Sequence, residues 1–228
     1  VNYSAHATVL GGSNMEFSAD YPGYILDAIE EETGGFAMFM SGAVGSMGPR
    51  TPDLPQGATG FDKAEAMGRV LAKRVLESAQ DLELEAQVEL ASMGIPLELP
   101  PFQLRLSTKW RVSPYLLPLL GLDTDGWLHG LRINDLVMLG APCDFSGELS
   151  REMKIEAAAE GRDLWCLSFN GDYAGYISPD KYYLTADKDE EGYEMYVMSW
   201  CGPYPCAFVC GLMDDMADRL VDSSEGSS

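Results

Sequence analysis

Three stretches of this chain gather polar side chains where apolar runs end, and chemistry is sought there first. One surrounds His6 in Asn2-Tyr3-Ser4-Ala5-His6-Ala7-Thr8-Val9-Leu10, and it holds one of only two histidines. The alternation of apolar and polar residues predicts a strand, followed by the small residues Gly11, Gly12, Ser13 and Asn14. A strand would fix the imidazole and the loop would leave room for substrate, which suits a metal ligand. An ordinary hydrogen-bonded histidine fits the same local sequence. The second stretch is Ala141-Pro142-Cys143-Asp144-Phe145-Ser146-Gly147-Glu148, where a predicted strand hands over to a helix. Asp144 at that junction is a site candidate, although local sequence alone favours a helix N-cap there. The third is the tyrosine-rich run from Asn170 through Tyr173, Tyr176 and Tyr182 to Tyr183, interleaved with glycine. It is either a polar pocket wall or an aromatic edge of the core.

The elements that must position these residues follow from periodicity. Asp20 as a cap, Pro22 in a first turn and Gly34-Gly35 at the end delimit a helix. The run 36–40 predicts a short buried strand, leading into the glycine-rich loop 41–49. A second helix is expected over 62–79, with Ala64, Met67, Leu71 and Val75 on one face. Residues 88–99 alternate as a strand, and Pro96, Pro100 and Pro101 confine its end to an edge or an exit. The apolar, proline-broken stretch 100–126 reads as a packed connection or a substrate-facing wall. Segments 127–133 and 136–139 flank Asn134-Asp135, a two-residue hairpin signal. A helix over 146–160 ending at Gly161, a buried strand over 164–169 and a last helix over 207–220 complete the pattern. The fold class expected is α/β, a mixed β-sheet core with flanking helices. It is read as one domain over 1–222 with a flexible tail over 223–228.

Composition narrows the function. With 228 residues, 46% of them hydrophobic, the chain can bury a substantial core. A net charge of −21 with no basic cluster anywhere excludes nucleic acid as a partner and disfavours steering toward strongly anionic membranes. No apolar run reaches the roughly 18 residues of a membrane span. The start at Val1, without Met, is what a processed chain or a piece of a longer protein would give. Five cysteines (Cys143, Cys166, Cys201, Cys206 and Cys210) leave at least one thiol unpaired within a monomer. Cys206 and Cys210 are spaced i, i+4 near Cys201, but buried free thiols are the default for such a set.

The order of these features resembles the neutral/alkaline non-lysosomal ceramidase family. His6-Ala7-Thr8, Asn14 and Asp20-Tyr21-Pro22-Gly23-Tyr24 follow the family's metal-histidine segment. Ala43-Val44-Gly45-Ser46-Met47-Gly48-Pro49 stands where the family has Asn-Leu-Gly-Asp-Val-Ser-Pro. Pro142-Cys143-Asp144-Phe145-Ser146 stands for Pro-Gly-Glu-Phe-Thr, with Ser150-Arg151 in the helix behind it. Asn170, Tyr173, Tyr176, Ser178, Asp180 and Tyr183 match the spacing of the family's tyrosine motif, and Tyr193-Glu194 and Gly202-Pro203 follow. The similarity runs over nearly all of this chain and only the later part of that family's catalytic domain. The family's β-sandwich domain is expected to be absent, because the chain ends soon after the last helix.

The resemblance implies a zinc-dependent amidase that cleaves the N-acyl bond of a ceramide-like lipid or related N-acyl amide with a metal-activated water. It implies His6, Asp144 and Tyr176 as Zn2+ ligands and Tyr193 as the catalytic phenol that hydrogen-bonds the substrate's carbonyl oxygen. It also implies a secreted or periplasmic location. The family's other metal histidine would belong to a segment before Val1; His129, in the hairpin strand, reads as structural. Asp144 replaces a glutamate and is one methylene shorter, with Glu148 one helical turn on as a fallback. Gly48 replaces the serine of the Ser-Pro pair, with Ser46 nearby. The alternative is a catalytically silent relative that binds a lipid or partner in the same cleft. A thiol hydrolase built on Cys143, just before a helix, is a third reading.

Overall fold

The computed structural model describes residues 1–83, 86–106, 110–120, 125–185 and 193–225. Two compact units emerge: Val1–Ser41 with Met47–Ala86, and Gly42–Ser46 with Gln87–Ser228.

In the first unit, β1 (Asn2–Tyr3) pairs in parallel with β2 (Met40–Ser41), alongside the helices α1 (Asp20–Thr33) and α2 (Gly60–Ala79). The helices pack through Tyr21, Ile25, Ala64, Met67 and Ala72. Thr59 and Asp62 close the start of α2 with a reciprocal capping box, and these hydrogen bonds hold the Asp62 carboxyl below its ordinary range. Three expectations fail here. His6 is not on a strand: β1 stops at Tyr3, Tyr21 donates its hydroxyl to Ala5 O (2.6 Å), and His6 N donates to Met47 O (2.9 Å). A side chain and a loop satisfy the backbone where a ladder was expected. The run 36–40 is not a buried strand either. Only Met40 enters β2, and Phe36 and Met38 are exposed. Phe39 alone turns inward, edge-on to Tyr21 with ring centroids 6.0 Å apart. Asp20 does not serve as the N-cap position; it sits at φ 53 inside the first turn, where its carboxylate accepts from Leu10 N and Tyr21 N.

The second unit is built on a mixed four-stranded sheet. Its strands are β3 (Leu90–Glu98), β4 (Asp125–Ile133), β5 (Leu136–Gly140) and, after the two-residue β6 (Asp144–Phe145), β7 (Asp163–Leu167). The order is β3-β4-β5-β7, antiparallel as far as β5 and parallel between β5 and β7. Parallel neighbours need a crossover, and α3 (Gly147–Ala159) provides it. Pro96 is tolerated because β3 is the edge strand. Asn134 takes φ 50 in the two-residue turn between Ile133 and Leu136, the conformation a tight hairpin requires. After β8 (Tyr176–Ile177) and the short α4 (Lys181–Thr185) comes α5 (Cys206–Glu225). It lays Val209, Met213, Met216 and Leu220 on the sheet against Leu128, Val137 and Leu139. The expected tail begins inside this helix, and 226–228 lie outside the described residues.

Five carboxylates gather where α3 and α5 run close. Partial burial, followed by the charges of Glu156, Asp218, Asp215 and Glu160, pushes the Asp214 carboxyl above its ordinary value. Arg162 answers only part of this charge, donating to Asp218 at 2.7 Å and to Glu160. A raised value in the fold means the folded state holds that proton more tightly than the unfolded chain, so the ionised form costs stability at neutral pH. Asp214→Asn is therefore expected to raise Tm at neutral pH. The gain shrinks as pH falls through the carboxylate range, and thermal melts across that range read it directly.

Candidate functional site

The site grows from the end of β5. Residues 141–143 carry the chain into β6, which pairs in parallel with β8 so that Asp144 lies opposite Tyr176 and Phe145 opposite Ile177. Backbone bonds from Asp144 N to Gly175 O (2.9 Å) and Ser146 N to Ile177 O (3.1 Å) clamp the pair. On the other side lies the glycine-rich segment: Gly45 N donates to Phe145 O (2.8 Å). A β-carbon on Gly45 would lie 2.4 Å from Asp144 O, so only glycine permits this approach. Ser168 Oγ accepts from both Val44 N (3.3 Å) and Phe145 N (3.1 Å), tying the segment and β6 to the end of β7. Ser146, not Asp144, caps α3, accepting from Glu148 N at 3.3 Å. Ser46 also ends at this helix start: its hydroxyl accepts from Gly147 N at 3.1 Å. Asp144 is released from capping, and it is buried, 2% exposed.

A buried carboxylate must be answered by donors. The Tyr173 hydroxyl donates to Asp144 Oδ2 at 2.5 Å. Tyr173 is itself wedged edge-on against Trp200, with centroids 5.2 Å apart. Burial, then the hydrogen bond to Asp144 and its charge, drive the Tyr173 phenol far above its ordinary value; burial and then the Asp144 charge raise Tyr176. Both phenols therefore stay protonated and able to donate at any physiological pH. Tyr193 lies in a single π-helical turn, Tyr193–Val197, exposed, with its ring edge-on to Tyr176 at 6.4 Å. The backbone behind this group is tightly set: Gly175 sits at φ 80, and a β-carbon there would be 2.2 Å from Met198 O.

Of the residues singled out from sequence, the second unit thus brings together Asp144, Tyr176 and Tyr193. His6 belongs to the first unit. Tyr173 was seen only as part of a spacing pattern; nothing local marks a partner 29 residues away. His129 behaves as structural, with Nδ1 2.7 Å from Asn170 Oδ1 and its ring stacked on Trp127. Glu148 is engaged by Lys181 and by the Tyr182 hydroxyl (2.6 Å), and those bonds lower its carboxyl pKa. The thiol reading fails: Cys143 is fully buried, and burial with the Asp144 charge pushes its thiol well above the ordinary value. Burial likewise pushes Cys201 and Cys206 to about 11 and Cys210 to about 12. Among the described residues, no group of three or more His, Cys, Asp or Glu side chains could hold a metal ion. Asp144 and Tyr176 fit the oxygen half of a zinc donor set, with Tyr173 orienting the carboxylate; they lack the nitrogen that such a set also takes.

The chain is similar to two solved structures. Against neutral ceramidase from Pseudomonas aeruginosa it shows 22% identity and a TM-score of 0.66, covering 96% of this chain and 44% of that one. Against a ceramidase complexed with C2 it shows 19% identity and a TM-score of 0.70, covering 97% and 45%. The likeness shows a shared α/β fold, and the chain spans less than half the length of either structure. No family model and no curated protein matches.

Proposed function

We propose that this chain carries part of a ceramidase-type hydrolytic site, acting on the N-acyl bond of a ceramide-like lipid or a related N-acyl amide. The observation that supports this most is the buried Asp144 held by the Tyr173 hydroxyl, with Tyr176 directly opposite, inside a fold shared with ceramidases. Asp144 and Tyr176 are assigned as oxygen donors to Zn2+, and His6, on sequence grounds, as a nitrogen donor. When bound, Zn2+ supplies an acidified water and polarises the amide carbonyl. Tyr173 keeps the carboxylate turned. Tyr193, beside Tyr176, donates its hydroxyl to the carbonyl oxygen as negative charge develops there. The proposed setting is outside the cytoplasm, secreted or periplasmic.

A catalytically silent binder of a lipid or partner is the second reading, favoured by the want of a three-residue His, Cys, Asp or Glu group among the described residues. One pair of measurements separates the two: metal content of purified protein, and fatty-acid release from N-acyl sphingosines and simpler N-acyl amides. Bound zinc with chelator-sensitive release is the expected result. Protein without metal or release from any of these substrates overturns the hydrolase and leaves the binder.

A further inference from the structure

The connection between β3 and β4 stands apart from the rest of the chain in charge. From 99 to 122 the sequence contains Arg105, Lys109 and Arg111 and no Asp or Glu, in a chain of net charge −21. Arg105 and Arg111 face each other across an antiparallel bridge, so residues too scattered to read as a basic run become neighbours in space. Leu106 N donates to Trp110 O (2.9 Å) and Val112 N to Leu104 O (2.8 Å), so the chain doubles back on itself.

The apolar side chains of this segment divide into two sets. Phe102 and Leu117 point inward and pack with Ala174, joined by Leu104, Val112 and Trp200. Leu106 and Trp110 are 72% and 73% exposed, and in the following 3-10 helix, Pro114–Leu120, Tyr115 and Leu119 are 90% and 81% exposed. Leu116 is exposed as well, and three residues apart on a 3-10 helix it eclipses Leu119. The outward set is therefore held out by an anchored underside. The anchor is also continuous with the candidate site. Gln103 N donates to Trp200 O (2.7 Å), Phe102 packs on Trp200 at 5.7 Å, and Trp200 packs on the Tyr173 that holds Asp144.

Exposed leucine beside tryptophan, tyrosine and arginine is the composition of a surface that sits at the boundary of a bilayer. Leucine enters the acyl region, the aromatic rings rest at headgroup depth, and guanidinium groups pair with phosphates. We propose that this segment docks the protein on an anionic lipid bilayer through Leu106, Trp110, Tyr115, Leu119 and Arg111. The acidity elsewhere on the chain does not prevent this, because a Debye length of about 8 Å at physiological salt lets nearby charge govern contact. The inference goes beyond the hydrolytic reading and does not need turnover.

The test is co-sedimentation with vesicles of phosphatidylcholine alone and of phosphatidylcholine mixed with phosphatidylglycerol. No N-acyl lipid is included and chelator is present, so binding is read apart from hydrolysis. The unaltered protein is expected to sediment with the mixed vesicles and far less with phosphatidylcholine. Arg111→Glu changes local charge by two units and should weaken binding at least about tenfold, at about fivefold per charge. The double variant Trp110→Ala with Leu119→Asn should weaken it comparably, and Phe36→Ser in the first unit should leave it unchanged. Tyr115→Ser reads the same surface should the double variant melt early. The proposal is overturned by no binding to mixed vesicles, by equal binding to both vesicle types, or by patch variants that bind like the unaltered protein. A patch that instead holds two copies together, seen as a dimer lost in Leu119→Asn, also overturns it.

Discussion

Asp144→Asn is expected to abolish amide hydrolysis while leaving Tm unchanged or slightly raised. The carboxylate is buried against Tyr173 and opposite Tyr176, and its negative charge lifts the pKa of both phenols. A buried charge is costly to the fold, and an amide of the same shape still accepts from the Tyr173 hydroxyl. Stability therefore gains or breaks even, whereas the charge that would hold a metal is lost. Tyr173→Phe should lower activity by about 10- to 100-fold, the usual penalty for removing a partner that orients a metal ligand. It also removes a hydrogen bond to a charged group, worth about 1.5 to 3 kcal/mol. Both variants thus lose activity, but only Tyr173→Phe is expected to lose stability. Zinc content, release rate and melting temperature measured on both would reveal the split. An Asp144→Asn protein that hydrolyses like the parent would remove this carboxylate from the chemistry.

The second large effect is structural. Gly175→Ala should destabilise the protein by about 3 kcal/mol or more, a large share of the roughly 5 to 15 kcal/mol that holds a domain together. Two causes add. The residue is at φ 80, where a side chain costs about 1 to 3 kcal/mol. The new methyl would also meet Met198 O at 2.2 Å and the Trp200 ring at 3.0 Å, which forces Tyr176 and its strand to shift. Gly161→Ala is the matched control. Gly161 has φ 76 but nothing within 4 Å of a β-carbon, so only the backbone cost applies. Denaturant midpoints for the pair give the difference, and equal losses would mean that the close approach at Gly175 is unimportant.

These sites differ in how far the sequence could reveal them. The Asn134-Asp135 hairpin, the edge position of Pro96, the end of α1 at Gly34 and the crossover helix were all legible, because each depends on neighbours a few residues apart. The sheet and its flanking helices followed from the same signals. Asp144 was found by its place at a strand end, though its partner was not. Its environment is made by two strands of two residues each, by Ser168 holding two backbone N–H groups, and by a tyrosine 29 positions away. No periodicity records such contacts. The strand expected to carry His6 failed for a related reason: alternation is necessary for pairing, but β2 offers a partner only to Asn2 and Tyr3.

The division of the chain matters to anyone wishing to make the second unit alone. Its sequence is interrupted, since Gly42–Ser46 belongs with Gln87–Ser228. A product begun at Gln87 would leave a slot where Ala43 was buried and would strand the Ser168 hydroxyl without the Val44 donor. Supplying 42–46 as a separate peptide, or grafting it onto the new N-terminus through a linker, should restore the missing piece and with it the setting of β6.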